Sequence, residues 1–333
     1  MNENHVTVNS GKAFLLAARP KTLSGAAVPV MIGVALAIHD MGWERFVTPV
    51  AGDWYRMPLV PPLLCFLFAM VMQVDANFVN DYFDCVRGTD DRETRLGPKR
   101  ACTEGWVTLP AMRRCLVVTT ALACLVGLPL VCFGGWEMVL VGAACVLFCF
   151  LYTTLLAQHG MGDVLVLLFF GLVPVCLTYY VTMPPASQTI TAQVVWASLA
   201  CGLVIDTLLV VNNYRDYDQD RAVGKKTLIV RMGRERAEQL YGWLGEYRHL
   251  YDVGMSCSRR LEFCSYVALF RLFRTLCAAS WGHEGSDAAH RKGKGTEQGA
   301  WYDCPQYVCL WCDDRDRHAL YSLSLCNLQS ILN

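Results

Sequence analysis

Apolar residues gather in six long runs, at 23–38, 59–79, 115–133, 137–157, 164–183 and 194–211, separated by short polar connections. About 20 helical residues cross a hydrocarbon core of about 30 Å, so the pattern predicts an all-α polytopic membrane helix bundle with six visible spans. The first run is slightly short. Pro29, Pro61, Pro62, Pro129 and Pro174 lie in or beside the runs and predict kinks, which a bundle tolerates when neighbours re-satisfy the freed carbonyls. Beyond about Trp243 the pattern changes. The best apolar run there, 263–279, is interrupted by Arg271 and Arg274, each costing roughly 2.5 to 3.5 kcal/mol at mid-bilayer, so no seventh span is read there.

Composition agrees with the pattern. Of 333 residues, 54% are hydrophobic, too many for a soluble domain with a polar exterior. Positive and negative residues balance at 29 each, so only the distribution of charge is informative, and nothing points to a nucleic-acid partner. The polar start, Met1 to Ser10, lacks the form of a cleaved leader, and the first run is read as retained. The 17 cysteines are scattered through apolar runs and read as small apolar fillers.

Lys and Arg cluster in alternate connections. Arg87, Arg92, Arg95, Lys99, Arg100, Arg113 and Arg114 follow the second run; Arg215, Arg221, Lys225, Lys226, Arg231, Arg234 and Arg236 follow the sixth. The connections near Gly134 and at 184–193 carry none, and 42–56 carries only Arg45 and Arg56. This bias predicts six crossings of an inner (cytoplasmic) membrane from a cytoplasmic amino terminus. The second and sixth runs then both end on the cytoplasmic side.

Those two ends carry the chemistry. After the sixth run stands Asn212-Asn213-Tyr214-Arg215-Asp216-Tyr217-Asp218-Gln219-Asp220, and on a continuing helix Asn212, Asp216 and Asp220 drift only about 40° per four-residue step and share a face. After the second stands Asn80-Asp81-Tyr82-Phe83-Asp84, with Gly88, Asp90 and Asp91 beyond, repeating the Asn-x-Tyr-x-Asp spacing. One such cluster is as readily a solvated interface. Two on one side, each beside seven cations, fit a pair of Mg²⁺ sites trapping a diphosphate, with Lys and Arg covering the remaining charge. The apolar chamber below suits a long hydrocarbon tail.

With these motifs the chain resembles the UbiA superfamily of intramembrane prenyltransferases, and within it the polyprenyltransferases that act on 1,4-dihydroxy-2-naphthoate in menaquinone synthesis. The likeness rests on Ala18-Arg19-Pro20-Lys21-Thr22-Leu23, on the Asn80 and Asn212 motifs, on Gly97-Pro98-Lys99-Arg100-Ala101 with Gly105, and on Gly224, Lys225 and Thr227. It covers residues 13 to about 241 and implies about nine spans. It implies an Mg²⁺-dependent transferase that ionises an allylic polyprenyl diphosphate and lets an aromatic acceptor, dihydroxynaphthoate, attack the carbocation, with membrane lipid around it and the active site opening at the cytoplasmic face. Carried onto this sequence, Asp84, Asp216 and Asp220 are the catalytic and metal-side carboxylates, with Asp81 a further metal candidate. Asn80, Asn212, Lys99, Arg100, Arg221 and Lys225 are the diphosphate-side candidates, although each cation is equally an anchor at the membrane surface.

Asp75 and Asp206 lie inside apolar runs, where an ionisable group calls for a function. They are read either as acceptor-side groups or as hydrogen-bonding partners of a neighbouring helix. Gln73, Tyr152 and Tyr214 line the chamber or pack, and His159 lies on a loop. Rival readings are a UbiA-type enzyme for another acceptor, such as 4-hydroxybenzoate or homogentisate, and an Mg²⁺ or organic-ion transporter. A transport pathway needs polar residues through the membrane depth, whereas these concentrate at one end.

The resemblance stops near 242–245. Residues 242–333 form an anomalous tail, read as out of frame relative to the family, so that another frame downstream of codon 242 should encode three apolar runs. Read as genuine, the tail leaves a third of the bundle absent and predicts an inactive product. Cys304, Cys309, Cys312 and His318 in that tail are a weak zinc signal.

Overall fold

A computed structural model describes residues 6–48, 57–88 and 97–246, with the side chains of 245 and 246 left aside. These residues lie in the first of two units, Met1–Tyr266; the second, Val267–Asn333, lies outside them. Asp90, Asp91, Arg56, Arg92 and Arg95 and the tail with its cysteines also fall outside the described residues.

Among the described residues the secondary structure is helical, with no strand. Six helices have the length and apolarity of membrane spans: α1 (Gly11–Met41), α2 (Val60–Arg87), α3 (Leu109–Gly134), α4 (Glu137–His159), α5 (Gly162–Thr182) and α6 (Ala192–Arg215). All six expected spans are present, and the protein is a multi-pass membrane protein. Three short helices follow: α7 (Tyr217–Ala222), α8 (Leu228–Met232) and α9 (Arg234–Glu246).

The helices outrun their apolar stretches where polar groups find partners. α1 is capped by Ser10, whose hydroxyl accepts the Ala13 N–H at 3.2 Å, and is broken at Arg19, which sits in the left-handed region at φ 50° before a 3₁₀ turn, Pro20–Thr22. α2 continues eight residues past the apolar run ending at Val79, so the Asn80 motif is helical, and it stops at Gly88 with φ 65°. Pro61 and Pro62 occupy its first turn, where a missing N–H costs nothing.

Irregular turns mark α3, α4 and α5. Pro129 sits in a 3₁₀ segment, Leu128–Leu130, and Pro174 follows a π-helical stretch, Leu167–Leu172. A second π-helical stretch, Tyr152–Leu156, ends α4. Its carbonyls are covered from α2: the Arg87 guanidinium donates to the Thr153 carbonyl at 2.9 Å and the Thr154 carbonyl at 2.7 Å. Such π turns re-aim side chains and recur at functional sites.

Small residues let the helices approach closely, as in other membrane bundles. A Cβ on Gly33 of α1 would fall 2.6 Å from the Val175 carbonyl oxygen of α5, and one on Gly171 of α5 would fall 2.6 Å from the Ser198 carbonyl oxygen of α6. The outward faces carry exposed Leu67, Val117, Leu125, Leu140 and Trp196, as lipid contact requires, whereas several acidic side chains are buried inside.

Candidate active site

The last two turns of α2 place Asn80, Asp81 and Asp84 at one end of the bundle. Asp84 is 8% exposed and accepts a hydrogen bond from the Arg100 guanidinium at 2.8 Å, a buried ion pair. Asn80 accepts from the Thr153 hydroxyl, which the π turn of α4 presents. Arg100 belongs to the loop between α2 and α3, in which Lys99 lies over the Trp106 ring at 5.9 Å.

Asp81, a further metal candidate in the sequence, is engaged by the loop backbone. Its two oxygens accept the Ala101 and Cys102 N–H groups at 2.8 and 2.9 Å, and the residue is 1% exposed. Both oxygens are turned to the loop backbone, which makes Asp81 the anchor that seats Arg100. Burial, then the neighbouring Asp81 charge, push the Cys102 thiol up, which keeps it protonated and inert.

A second clamp holds the Arg19-Pro20-Lys21-Thr22 break. The Asn77 amide donates to the Ala18 carbonyl at 2.8 Å and to the Thr22 hydroxyl at 2.9 Å, and Gln73 adds a bond to Thr22 at 3.3 Å. Neither role shows in the sequence, where Asn77 is one more residue on the way to the acid motif.

The second motif spans the end of α6 and the start of α7. The helix is interrupted at Asp216, yet four-residue spacing survives: the Asp216 N–H donates to the Asn212 carbonyl at 3.0 Å and the Asp220 N–H to the Asp216 carbonyl at 2.8 Å. Asp216 is held by Arg215 through two 2.8 Å contacts, and Asp220 by Lys225 at 3.3 Å. Burial raises the Asp220 carboxyl above the ordinary Asp range; Lys225 offsets part of this, and repulsion from Asp216 and Asp84 adds to it. Asn212 is half-buried, and Arg221 is exposed. Behind them Arg234 pairs with Asp218 at 2.7 Å and covers the Tyr214 and Tyr217 rings, while the Tyr214 hydroxyl donates to Glu238 at 2.8 Å, fixing α9 against α6.

The two motifs meet electrostatically, since the Asp84 charge acts on Asp220. The loop after the second motif rests on the α4–α5 connection: the Lys226 N–H donates to the Gln158 carbonyl at 3.0 Å, and a Cβ on Gly160 would strike the Lys226 carbonyl oxygen at 2.9 Å. Among the described residues no three His, Cys, Asp or Glu side chains gather into a self-sufficient metal cage. Mg²⁺ does not require one, because it binds through one or two carboxylates together with substrate phosphates. The donor set, carboxylates from two sides with a cation on each, fits a metal that arrives with a diphosphate.

Of the acids inside the spans, Asp75 has a structural partner. It is fully buried and accepts hydrogen bonds from the Thr119 and Thr120 hydroxyls of α3, the latter at 2.9 Å. The helix-clamp alternative accounts for it. Asp75→Asn is expected to lower thermal stability in detergent by about 1 to 3 kcal/mol while leaving the acceptor KM within about twofold; a KM change with unaltered stability would reverse the assignment.

Asp206 of α6 is 7% exposed, and its Oδ1 has no hydrogen-bond partner among the described residues. Its charge is opposed by that of Asp163, at the start of α5. Asp163 escaped the sequence reading because it stands one residue before the fifth apolar run. A carboxylate between Gly162 and eleven mostly apolar residues was the available signal.

Two Asn/Asp motifs at one end of an apolar helical bundle, with Asp84 and Asp220 each paired with a cation, make up the candidate site of a membrane-embedded protein. Comparison with known proteins gives the family. The UbiA prenyltransferase family matches residues 27–251, and the chain belongs to it. It is 32% identical over 246 residues to the 1,4-dihydroxy-2-naphthoate octaprenyltransferase of Escherichia coli (strain K12), covering 71% of this chain and 74% of that one. It is 33% identical over 231 residues to the enzyme of the same description from Mycobacterium tuberculosis, covering 67% and 71%. Among solved structures, a UbiA homolog from Archaeoglobus fulgidus bound to GPP and Mg²⁺ superposes with a TM-score of 0.54 at 16% identity, over 82% of this chain and 86% of that one. At that identity the likeness bears on the fold, an all-α membrane bundle. The protein is a UbiA-type prenyltransferase.

Proposed function

We propose that the protein transfers a polyprenyl group from an allylic polyprenyl diphosphate to 1,4-dihydroxy-2-naphthoate, in an Mg²⁺-dependent step toward demethylmenaquinone. The observation that carries the reading is the pair of acid motifs, each with a carboxylate already in an ion pair with a cation, Asp84 with Arg100 and Asp220 with Lys225. The acceptor follows from the relatives above, described as dihydroxynaphthoate enzymes at 32 and 33% identity.

Bound between the motifs, Mg²⁺ would neutralise charge on the departing diphosphate; Asp84, Asp216 and Asp220 would hold it, with Asn80 and Asn212 beside them. Arg100 and Lys225 are paired with carboxylates before substrate arrives, and a diphosphate lets each exchange one anionic partner for another. No lone buried cation has to be carried in the meantime. Lys99, on the loop after α2, and Arg221, in the last turn of α7, are further diphosphate-side cations. In the transfer itself the allylic C–O bond breaks, the diphosphate keeps the electron pair, and the ring carbon that bears the carboxylate forms the new C–C bond and loses CO2, whose bonding pair returns to the ring and restores the aromatic diol. We place this end of the bundle at the cytoplasmic face of the inner membrane, where the cation-rich connections lie. The prenyltransferase bundle includes α9, which runs to Glu246, and the family match extends to residue 251.

The test is incubation of membranes containing the chain with geranyl or longer prenyl diphosphate, Mg²⁺ and separate aromatic acids. Prenylated product is expected with 1,4-dihydroxy-2-naphthoate. Equal or greater product with 4-hydroxybenzoate or homogentisate would move the protein to another acceptor, and no product with any acid would reject the reading.

A further inference from the structure

The second acid motif ends on a helix too short to hold its own direction. α7 has six residues, and a helix of that length is marginal in isolation, so its orientation comes from its neighbours. It carries Asp220, while Asp216 stands in the one-residue break before it, at φ −89° and ψ 9°. The two carboxylates serve one metal only while that break keeps a fixed angle.

Arg234, the first residue of α9, bears on that break. Its guanidinium carbon lies 5.5 Å from the centre of the Tyr214 ring and 5.1 Å from that of the Tyr217 ring, and its Nη2 is 2.7 Å from the Asp218 carboxylate. Tyr214 belongs to the last turn of α6, and Tyr217 and Asp218 open α7. One planar cation thus spans both sides of Asp216. α9 has its own hold on the bundle, through the Tyr214 hydroxyl on Glu238 at 2.8 Å and through an apolar cluster of Val210 of α6, Ile229 of α8 and Ala237 of α9. Arg234 is therefore a fixed point against which the short helix is set.

A cation in the first turn of a helix stands against the helix dipole, which favours acids there. The Arg234–Asp218 pair offsets this weakly, since Asp218 is exposed and exposed ion pairs are worth little. What the position supplies is geometry, because a planar guanidinium lies against two rings in a defined orientation, as an ammonium does not. We propose that Arg234 is a positioning residue of the metal site, bridging the α6–α7 break and fixing the angle at which Asp216 and Asp220 present their carboxylates to Mg²⁺. The proposal rests on the functional reading above and extends the machinery of the site to α9. Charge alone predicts the opposite effect: removing a cation beside the motif's carboxylates favours Mg²⁺, whereas losing the clamp disfavours it.

The test is equilibrium binding of geranyl diphosphate to the purified full chain in detergent, titrated with Mg²⁺, with thermal unfolding of each variant followed alongside. Arg234→Ala is expected to raise the Mg²⁺ concentration for half-maximal binding at least about fivefold, the scale of two lost ring contacts, while affinity without Mg²⁺ stays within about twofold. Tyr217→Leu removes the α7-side ring and keeps an apolar side chain in its place; it is expected to raise the Mg²⁺ requirement at least about threefold. The double variant is expected to go no further than Arg234→Ala, because both changes break one clamp. An unchanged or lowered Mg²⁺ requirement in Arg234→Ala overturns the proposal, as do fully additive effects in the double variant. Equal losses with and without Mg²⁺ also overturn it, since they mark a merely structural role. If Arg234→Ala does not fold, Tyr217→Leu decides, and an unchanged Mg²⁺ requirement there overturns the proposal. Failure of the unmodified chain to bind geranyl diphosphate with Mg²⁺ is a separate result, and it rejects the functional reading itself.

Discussion

Asp84→Asn and Asp216→Asn are each expected to reduce prenyl transfer by at least about 100-fold, the scale seen when one preorganised electrostatic stabiliser is lost. Asn keeps the volume of Asp, so the packing of α2 and the α6–α7 junction survives, and insertion rests on the apolar stretches of six spans, with Asp84 only in the last turn of α2 and Asp216 just past α6. What is lost is charge. Asp84 faces Arg100 in a buried pair, and Asp216 faces Arg215. Without the carboxylate, metal affinity falls and the cation opposite loses an anionic partner. Membrane-inserted variants at wild-type activity would remove both residues from the site.

Asp81→Asn should separate an anchor from a ligand. The carboxylate accepts two backbone N–H groups of the Arg100 loop, and an amide offers one acceptor and sets an N–H against the other donor. An unsatisfied buried N–H costs about 1 to 3 kcal/mol, and each 1.4 kcal/mol is about tenfold in affinity. The expected result is a KM for prenyl diphosphate raised about tenfold or more, with the Mg²⁺ concentration for half-maximal rate unchanged within twofold. A shifted Mg²⁺ requirement at constant KM would restore Asp81 as a metal ligand.

Much of this was legible in the sequence because membrane helices obey two loud rules. Apolar length gave the six spans, and the repeat of Asn80 with Asp84 against Asn212 with Asp216 gave the motifs. The apolar run stops short of the helix end where polar side chains prolong a helix: α2 runs through the motif because Asp81, Asp84 and Asn80 find donors from a loop and from α4. Partners of that kind join positions 16 to 73 residues apart, beyond the reach of periodicity. Asp75 and Asp206 look alike in sequence, each a lone acid in an apolar run. Only the neighbouring helix tells them apart, since α3 offers Asp75 two threonines, whereas α5 sets a second carboxylate, Asp163, against Asp206. The π turn of α4, which aims Thr153 at Asn80, has no sequence signal of its own.

The central claim is that the two motifs together clamp a diphosphate through Mg²⁺. Binding of geranyl diphosphate to the purified chain, titrated with and without Mg²⁺, tests it most directly. The account expects Mg²⁺ to strengthen binding by at least about tenfold, and expects either Asp84→Asn or Asp220→Asn alone to remove that gain. Binding of equal strength in excess EDTA, or an Mg²⁺ gain that survives both substitutions, would contradict it.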